Sequence, residues 1–225
     1  SDDRFQIDAE KIFRALTNKS RAIIPVHWGG ASPDMSRIEE LCQAENLIIV
    51  EDACMGIGAM LNGKRAGTFG TVNAFSMHPL KSLNVMGDGG MVVTDEDDLA
   101  IWMRKYRNHG MHDRDHIDFW GLNMRLQPLQ AVVAYHGLDE IESIVEKRNC
   151  NATMLDSGLA SLKDNVILPE RREGFVETFS LYMALCNDRD SLRTLLSNRG
   201  VETKIHYPIP LHLQSAASNL GYKKG

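Results

Sequence analysis

Residues 47–59 read LIIVEDACMGIGA, and this stretch decides the fold. Leu47 to Val50 form an unbroken run of strand-favouring apolar residues, the pattern of a strand covered on both faces. Two acids, Glu51 and Asp52, close it. Working outward, AIIPV at 22–26 is a second strand candidate. Between the two, Asp34 offers an N-cap, and Ile38, Leu41, Cys42 and Glu45 recur at spacings of three and four, which predicts an amphipathic helix over 35–45. Strand, helix and strand in this order form a βαβ unit, so the first half of the chain reads as α/β around a mostly parallel sheet.

Further along, residues 72–76 and 91–94 are two more strands, with a proline- and glycine-bearing loop between them. Leu99, Trp102, Met103 and Tyr106 mark a helical face expected to pack in the core. Pro128 opens an apolar rhythm through Leu129, Val132, Val133, Leu138, Ile141, Ile144 and Val145, which predicts one long helix interrupted by Gly137. The style then changes. VILP, FSLYMALC, a helix from Ser191 to Arg199 and TKIHYPIP form the pattern of a smaller α+β unit, so the expected domains are 1–148 and 149–225.

With 225 residues and 43% hydrophobic content, the chain has material for a sizeable core. Its formal charge of -5 and lack of a basic run argue against a nucleic-acid partner. The N-terminal residues lack the features of a signal peptide, and no apolar run approaches membrane-spanning length, so a soluble cytoplasmic protein with no membrane partner is expected. Cys42, Cys54, Cys150 and Cys186 make no C-x-x-C pair and read as buried thiols in a reducing compartment.

The chemistry gathers at strand ends. Ligands of open α/β sheets bind outside the carboxyl ends of the strands, where Asp52 stands, although an aspartate there also serves as a helix N-cap. Lys81 follows the next strand in the segment NAFSMHPLKSLNVMGDGG, 73–90. An acid able to keep a pyridine nitrogen protonated and a lysine able to form a Schiff base are the minimum protein equipment for pyridoxal phosphate chemistry. Ser76 offers the phosphate a hydroxyl, and glycines 87, 89 and 90 permit tight backbone beside a ligand. Spacing alone also admits an ordinary surface lysine in a loop.

EDACMGIGA at 51–59 and the run from Gly63 to Asp97 resemble the DegT/StrS family of sugar aminotransferases, pyridoxal phosphate enzymes of fold type I. PVHWGG at 25–30, GLNMRLQPLQAVVA at 121–134 and HYPIPLHLQ at 206–214 resemble three further motifs of that family, in order. The resemblance implies an aspartate-aminotransferase-like large domain with part of a small C-terminal domain. It implies amino transfer, with glutamate as donor, to a keto-sugar or nucleotide-linked keto-sugar in polysaccharide or secondary-metabolite biosynthesis. Carried over position by position, it makes Lys81 the cofactor-bearing lysine and Asp52 the partner of the ring nitrogen. Ser76 becomes a phosphate ligand, and Met55 and Asn123 cofactor-site residues. Asn123 would reach from a neighbouring subunit, which implies a homodimer with shared active sites. His27, Arg125, His206 and Tyr207 fall in the substrate region. Met55 replaces the Gln or His usual in the family, and Trp28 stands where its turn carries other residues. Family chains are also longer, so the resemblance implies a chain shortened at both ends.

Four other readings stay beside this one. Dehydratases of the family carry His where this chain has Lys81, and a regulatory protein could bind the cofactor without turnover. A dinucleotide site would use Gly56 and Gly58 but lacks the third glycine, since Met60 and Leu61 follow. His109, His112 and His116 have metal-ligand spacing, yet Gly110 and dense polar residues favour a loop, and no metal is expected.

Overall fold

The computed structural model describes residues 1–224. Strands β1 (Ala22–Ile23), β2 (Ile48–Asp52), β5 (Val72–Ser76) and β6 (Gly90–Val93) lie side by side in the order β1-β2-β5-β6. The first three are parallel, and β6 runs antiparallel to β5. Between β1 and β2 runs α2 (Met35–Glu45), capped by Asp34, whose side chain accepts the Arg37 N–H at 3.1 Å. It ends at Asn46 in the left-handed region, with Leu47 N–H returning to the Cys42 carbonyl. Its apolar stripe, Met35, Ile38 and Cys42, packs with Ile23, Ile49, Leu61 and Phe69 into a first core cluster. A second cluster joins Met77, Leu83 and Val85 to Ile141 and Val145.

Several expectations are corrected. The first strand is only two residues long, with Val26 making an isolated bridge to Asp52. β2 is covered on one face only: successive side chains alternate, so Ile49 and Glu51 are buried while Ile48 is 52% exposed. The helix α3 (Asp97–Tyr106) buries none of its residues, and Trp102 instead stacks on Tyr106 and Phe119 at 4.9 and 5.5 Å between ring centroids. The long helix is two, α4 (Pro128–Leu138) and α5 (Ile141–Leu159). Gly137, a weak helix former, precedes the break, and its missing Cβ admits Leu83, whose Cδ1 lies 2.8 Å from where that atom would stand.

Four elements, α1 (Ala9–Ala15), β3 (Met60–Leu61), β4 (Lys64–Arg65) and β8 (Phe175–Val176), have no counterpart in the expectations. The helix α1 is capped by Asp8 and lays Ile12 against the first cluster. β3 and β4 form a hairpin whose turn residues, Asn62 and Gly63, both have positive φ, as a type I′ turn requires. β7 (Val166–Ile167) precedes β8, and β8 pairs with β3. That pairing ties residues beyond 149 to the first half, so the expected boundary falls inside α5. The compact units are instead Ser1–Ala184 and the stretch from Leu185 onward. The second unit contains β9 (Leu185–Cys186) and α6 (Arg189–Asn198), capped by Asp188 and followed by Gly200 at φ +78°.

One buried carboxylate organises the strand end. Glu51, wholly inaccessible, accepts the N–H groups of Gly67, Phe69 and Gly70. His27, equally inaccessible, places Nε2 2.6 Å from Glu51 Oε1. The contact is short but poorly angled for a hydrogen bond, and neither imidazole nitrogen has a hydrogen-bond partner. Burial alone would raise the Glu51 pKa, but the His27 ring and the amides of Gly67 and Phe69 more than offset it, and the carboxyl lies below the usual range. Because its folded pKa is depressed, its stabilisation is full at neutral pH and is lost as pH falls through that folded value. Replacing Glu51 with Ala is expected to cost about 3 to 5 kcal/mol in urea unfolding at pH 7, since a buried network loses its central member. Glu51→Gln should flatten the acid side of the stability curve in the same measurement.

Candidate functional site

Asp52 ends β2 opposite Ala74 of β5. Its main chain is fixed twice, by its N–H to the Pro25 carbonyl at 2.9 Å and by its carbonyl accepting the His27 N–H at 3.0 Å. The next residue, Ala53, donates to Ala74 at 2.9 Å. The side chain is fixed as well: Oδ1 accepts the Cys54 N–H at 3.1 Å. The carboxylate is therefore oriented by its own chain and stays partly open to solvent.

Ser76 ends the neighbouring strand β5, and its Oγ accepts the His78 N–H at 3.3 Å. A short turn follows, in which Leu80 N–H donates to His78 Nδ1 at 3.1 Å and Lys81 N–H to the His78 carbonyl at 2.8 Å. Residues 78–80 are exposed, whereas Ser82, Leu83 and Val85 are buried, so Lys81 stands where the loop dives into the second core cluster. Its amine has no hydrogen bond or ion pair within the described structure. Its charge does reach the Cys54 thiol, as does that of Asp52. Burial first, and then the Asp52 carboxylate, push that thiol up to about 11, while Lys81 pulls the other way. Asp52, Cys54 and Lys81 thus share one electrostatic neighbourhood. An oriented carboxylate and a hydroxyl on adjacent parallel strand ends, with an uncommitted amine in the loop that follows β5, suit a ligand carrying an aldehyde, a basic ring nitrogen and a phosphate.

The other expected residues lie in different places. Met55 follows Cys54 in the same turn and is half-buried. His27 is enclosed behind the strand end against Glu51, with no exposed atom to offer a substrate. Asn123 and Arg125 lie on an exposed arm, where Arg125 Nε donates to Asn123 Oδ1 at 3.0 Å and Nη1 to Asn108 Oδ1 at 3.2 Å. His206 and Tyr207 belong to the second unit, stacked at 4.1 Å. Gly89 and Gly90 serve packing: a Cβ would stand 2.5 Å from Val85 Cγ2 and 2.9 Å from the Phe75 carbonyl oxygen respectively. His112 and His116 sit in a polar loop beside Asp118 and Asp113, and no group of three or more His, Cys, Asp or Glu among the described residues could hold a metal.

Cys54, Thr178 and Ser180 were not among the expected site residues. Cys54 was legible in principle, because a residue two past a strand-end acid can turn back beside it. Only Cys42 among the four cysteines is fully buried, whereas Cys150 is exposed. Thr178 and Ser180 carry no local signal, although both hydroxyls reach the Met55 carbonyl.

The sequence profile of the DegT/DnrJ/EryC1/StrS aminotransferase family matches residues 1–225. A pleiotropic regulatory protein of Geobacillus stearothermophilus is 36% identical over 98% of this chain and 60% of its own length. The dTDP-3-amino-3,4,6-trideoxy-alpha-D-glucose transaminase of Streptomyces venezuelae is 37% identical over 96% of this chain and 56% of its own. Among solved structures, S. venezuelae DesV in complex with a ketimine intermediate superposes with a TM-score of 0.94 at 36% identity. That match covers 99% of this chain and 60% of DesV. The chain thus spans 56% to 60% of the length of these proteins.

The raised Cys54 pKa gives a chemical prediction. Iodoacetamide at pH 8 should modify the exposed Cys150 and leave Cys54 untouched, and mass spectrometry should show Cys54 modification only as pH climbs toward 11. Since the folded pKa is raised, the stability this thiol contributes is full below the ordinary thiol value and is lost as pH rises toward the folded one.

Proposed function

The chain belongs to the DegT/DnrJ/EryC1/StrS aminotransferase family, and on that premise we propose that it acts in a pyridoxal-phosphate-dependent aminotransferase of nucleotide-linked keto-sugars. The observation that carries this reading is the uncommitted Lys81 amine in the same electrostatic neighbourhood as the oriented Asp52 carboxylate. When bound, the cofactor supplies an electron sink and a carrier for the amino group. Lys81 Nζ would hold the cofactor covalently, and its free amine would carry a proton to and from the reacting carbon of an amino donor such as glutamate. Asp52 keeps a proton on the ring nitrogen, and the Cys54 N–H holds the carboxylate in the orientation for that. Ser76 would hydrogen-bond the phosphate, and Met55 would pack beside the ring.

The remaining assignments are Asn123 as a phosphate contact lent by a second subunit, and Arg125, His206 and Tyr207 as residues of the substrate region, whereas the enclosed His27 is left to the buried Glu51 contact. A homodimer with shared sites is supported by an exposed apolar surface: Trp120 is 88% exposed, Leu129 81% and Tyr135 72%. No helix is long and apolar enough to cross a membrane, the charge of -5 disfavours nucleic acid, and the free cysteines fit the cytoplasm. The product would feed polysaccharide or secondary-metabolite assembly. A second reading, a cofactor-binding regulator without turnover, rests on the name of the Geobacillus stearothermophilus relative.

In the full-length protein, added pyridoxal phosphate should give a visible absorbance band that glutamate bleaches, and Lys81→Ala should remove both band and bleaching. Full turnover by that variant without added amine would defeat the assignment, and a band that no keto-sugar panel turns over would favour the regulator. Trp120→Glu with Leu129→Glu should convert a dimer into monomers in sedimentation velocity, with loss of activity because the sites are shared.

A further inference from the structure

The Met55 carbonyl, one residue past Cys54, accepts two hydroxyls from a distant part of the chain. Thr178 Oγ1 lies 3.0 Å away and Ser180 Oγ 2.7 Å. A carbonyl oxygen has two lone pairs, so the pair saturates it. Thr178 is fully buried, and its N–H donates to the Gly30 carbonyl at 2.8 Å, while Leu181 N–H donates to Gly29 at 3.0 Å. This approach depends on Gly30: its φ is +95°, and a Cβ would stand 2.2 Å from Thr178 Oγ1 and 3.1 Å from the Met55 oxygen. From the other side, Arg148 of α5 donates to the Phe179 carbonyl at 3.3 Å, holding the segment down.

The clamped turn is the one that aims the Asp52 carboxylate. Its start is held by Ala53 N–H on β5, its closing bond runs from Gly56 N–H to the Ala53 carbonyl, and Gly56 rests against the His27 ring. The Met55 carbonyl between these points is anchored by the two hydroxyls. Cys54 N–H, the donor to Asp52 Oδ1, lies between the Ala53 and Met55 anchors. We propose that Thr178 and Ser180 are positioning residues, which fix the 53–56 turn through the Met55 carbonyl and thereby set the direction of the Asp52 carboxylate. Their role toward a cofactor rests on the aminotransferase reading, whereas the clamp itself does not.

The test uses Thr178→Val, Ser180→Ala, the double variant and Thr178→Ser in the full-length protein. Without cofactor, the double variant should exchange its Cys54 to Gly56 amides about tenfold faster, in line with the loss of one or two hydrogen bonds to a buried carbonyl, while amides of α2 keep their rates. Titrated with pyridoxal phosphate, it should bind about tenfold more weakly, and the pH midpoint of the visible band should move, because the acid facing the ring nitrogen is no longer held. Thr178→Ser should behave as the parent. Should the double variant not fold, Ser180→Ala alone, at a half-buried position, should show the same changes to a smaller extent. Unchanged exchange overturns the proposal. So does faster exchange with unchanged affinity and pH midpoint, because the clamp then serves stability alone. If the parent takes up no pyridoxal phosphate, the aminotransferase reading falls, and exchange still decides whether the clamp exists.

Discussion

The structure depends on a carboxylate with no access to water. Stripping a carboxylate of its hydration costs several kcal/mol, so Glu51 at the end of β2 is tolerable only if its oxygens are satisfied from within. Three amides of the 67–70 turn do this, with the His27 ring set close against Oε1, and each belongs to a different part of the chain from Glu51 itself. The requirement ties together the segment after β1, the end of β2 and the approach to β5. Gly67, at φ +85°, permits the turn, since a Cβ there would overlap the Phe75 ring.

Once the strand end is held in this way, alternation does the rest. If Glu51 faces inward, Asp52 must face the other side, and parallel pairing puts it beside β5, whose own end leads to Ser76 and the Lys81 turn. One buried acid that cannot titrate freely thus sets the direction of a neighbouring acid that is accessible. Arg4 plays a comparable part for the later segment. It is 1% exposed and donates to Ser32 and Glu177, and Glu177 in turn accepts Arg171. Arg171 also bonds Asp156, which accepts the Tyr182 hydroxyl at 2.6 Å. This chain of charges frames both ends of residues 177–182, the segment that carries Thr178 and Ser180 to the Met55 carbonyl.

Most of the parallel sheet was legible in the sequence, because its strands are short apolar runs bounded by caps and turns. The helix over 35–45 was legible for the same reason, as its stripe and its Asp34 cap agree with each other. The Asn62-Gly63 turn had a readable signal, since that pair favours the type I′ hairpin, but its strands are only two residues each and leave no periodicity. The break between α4 and α5 was hidden because the apolar rhythm continues across it, and only the packing of Leu83 against Gly137 gives the break a purpose. The boundary near 149 misread a change of style as a change of unit, because β8 pairs with a hairpin some hundred residues earlier. Trp102 and its neighbours have a helical apolar face, yet periodicity does not say whether anything in this chain covers it.

The sequence by itself determined the strand and helix types, the placing of Asp52 and Ser76 at strand ends and of Lys81 in the loop that follows, and the family, because each is written in local order and spacing. Only the tertiary structure decided which acid is buried and which is open, and that Cys54 is kept protonated beside Lys81. It also decided that Thr178 and Ser180 hold the turn behind Asp52. The physical reason is that burial, desolvation and the saturation of a carbonyl are properties of groups brought together from distant parts of the chain, and no local pattern encodes them.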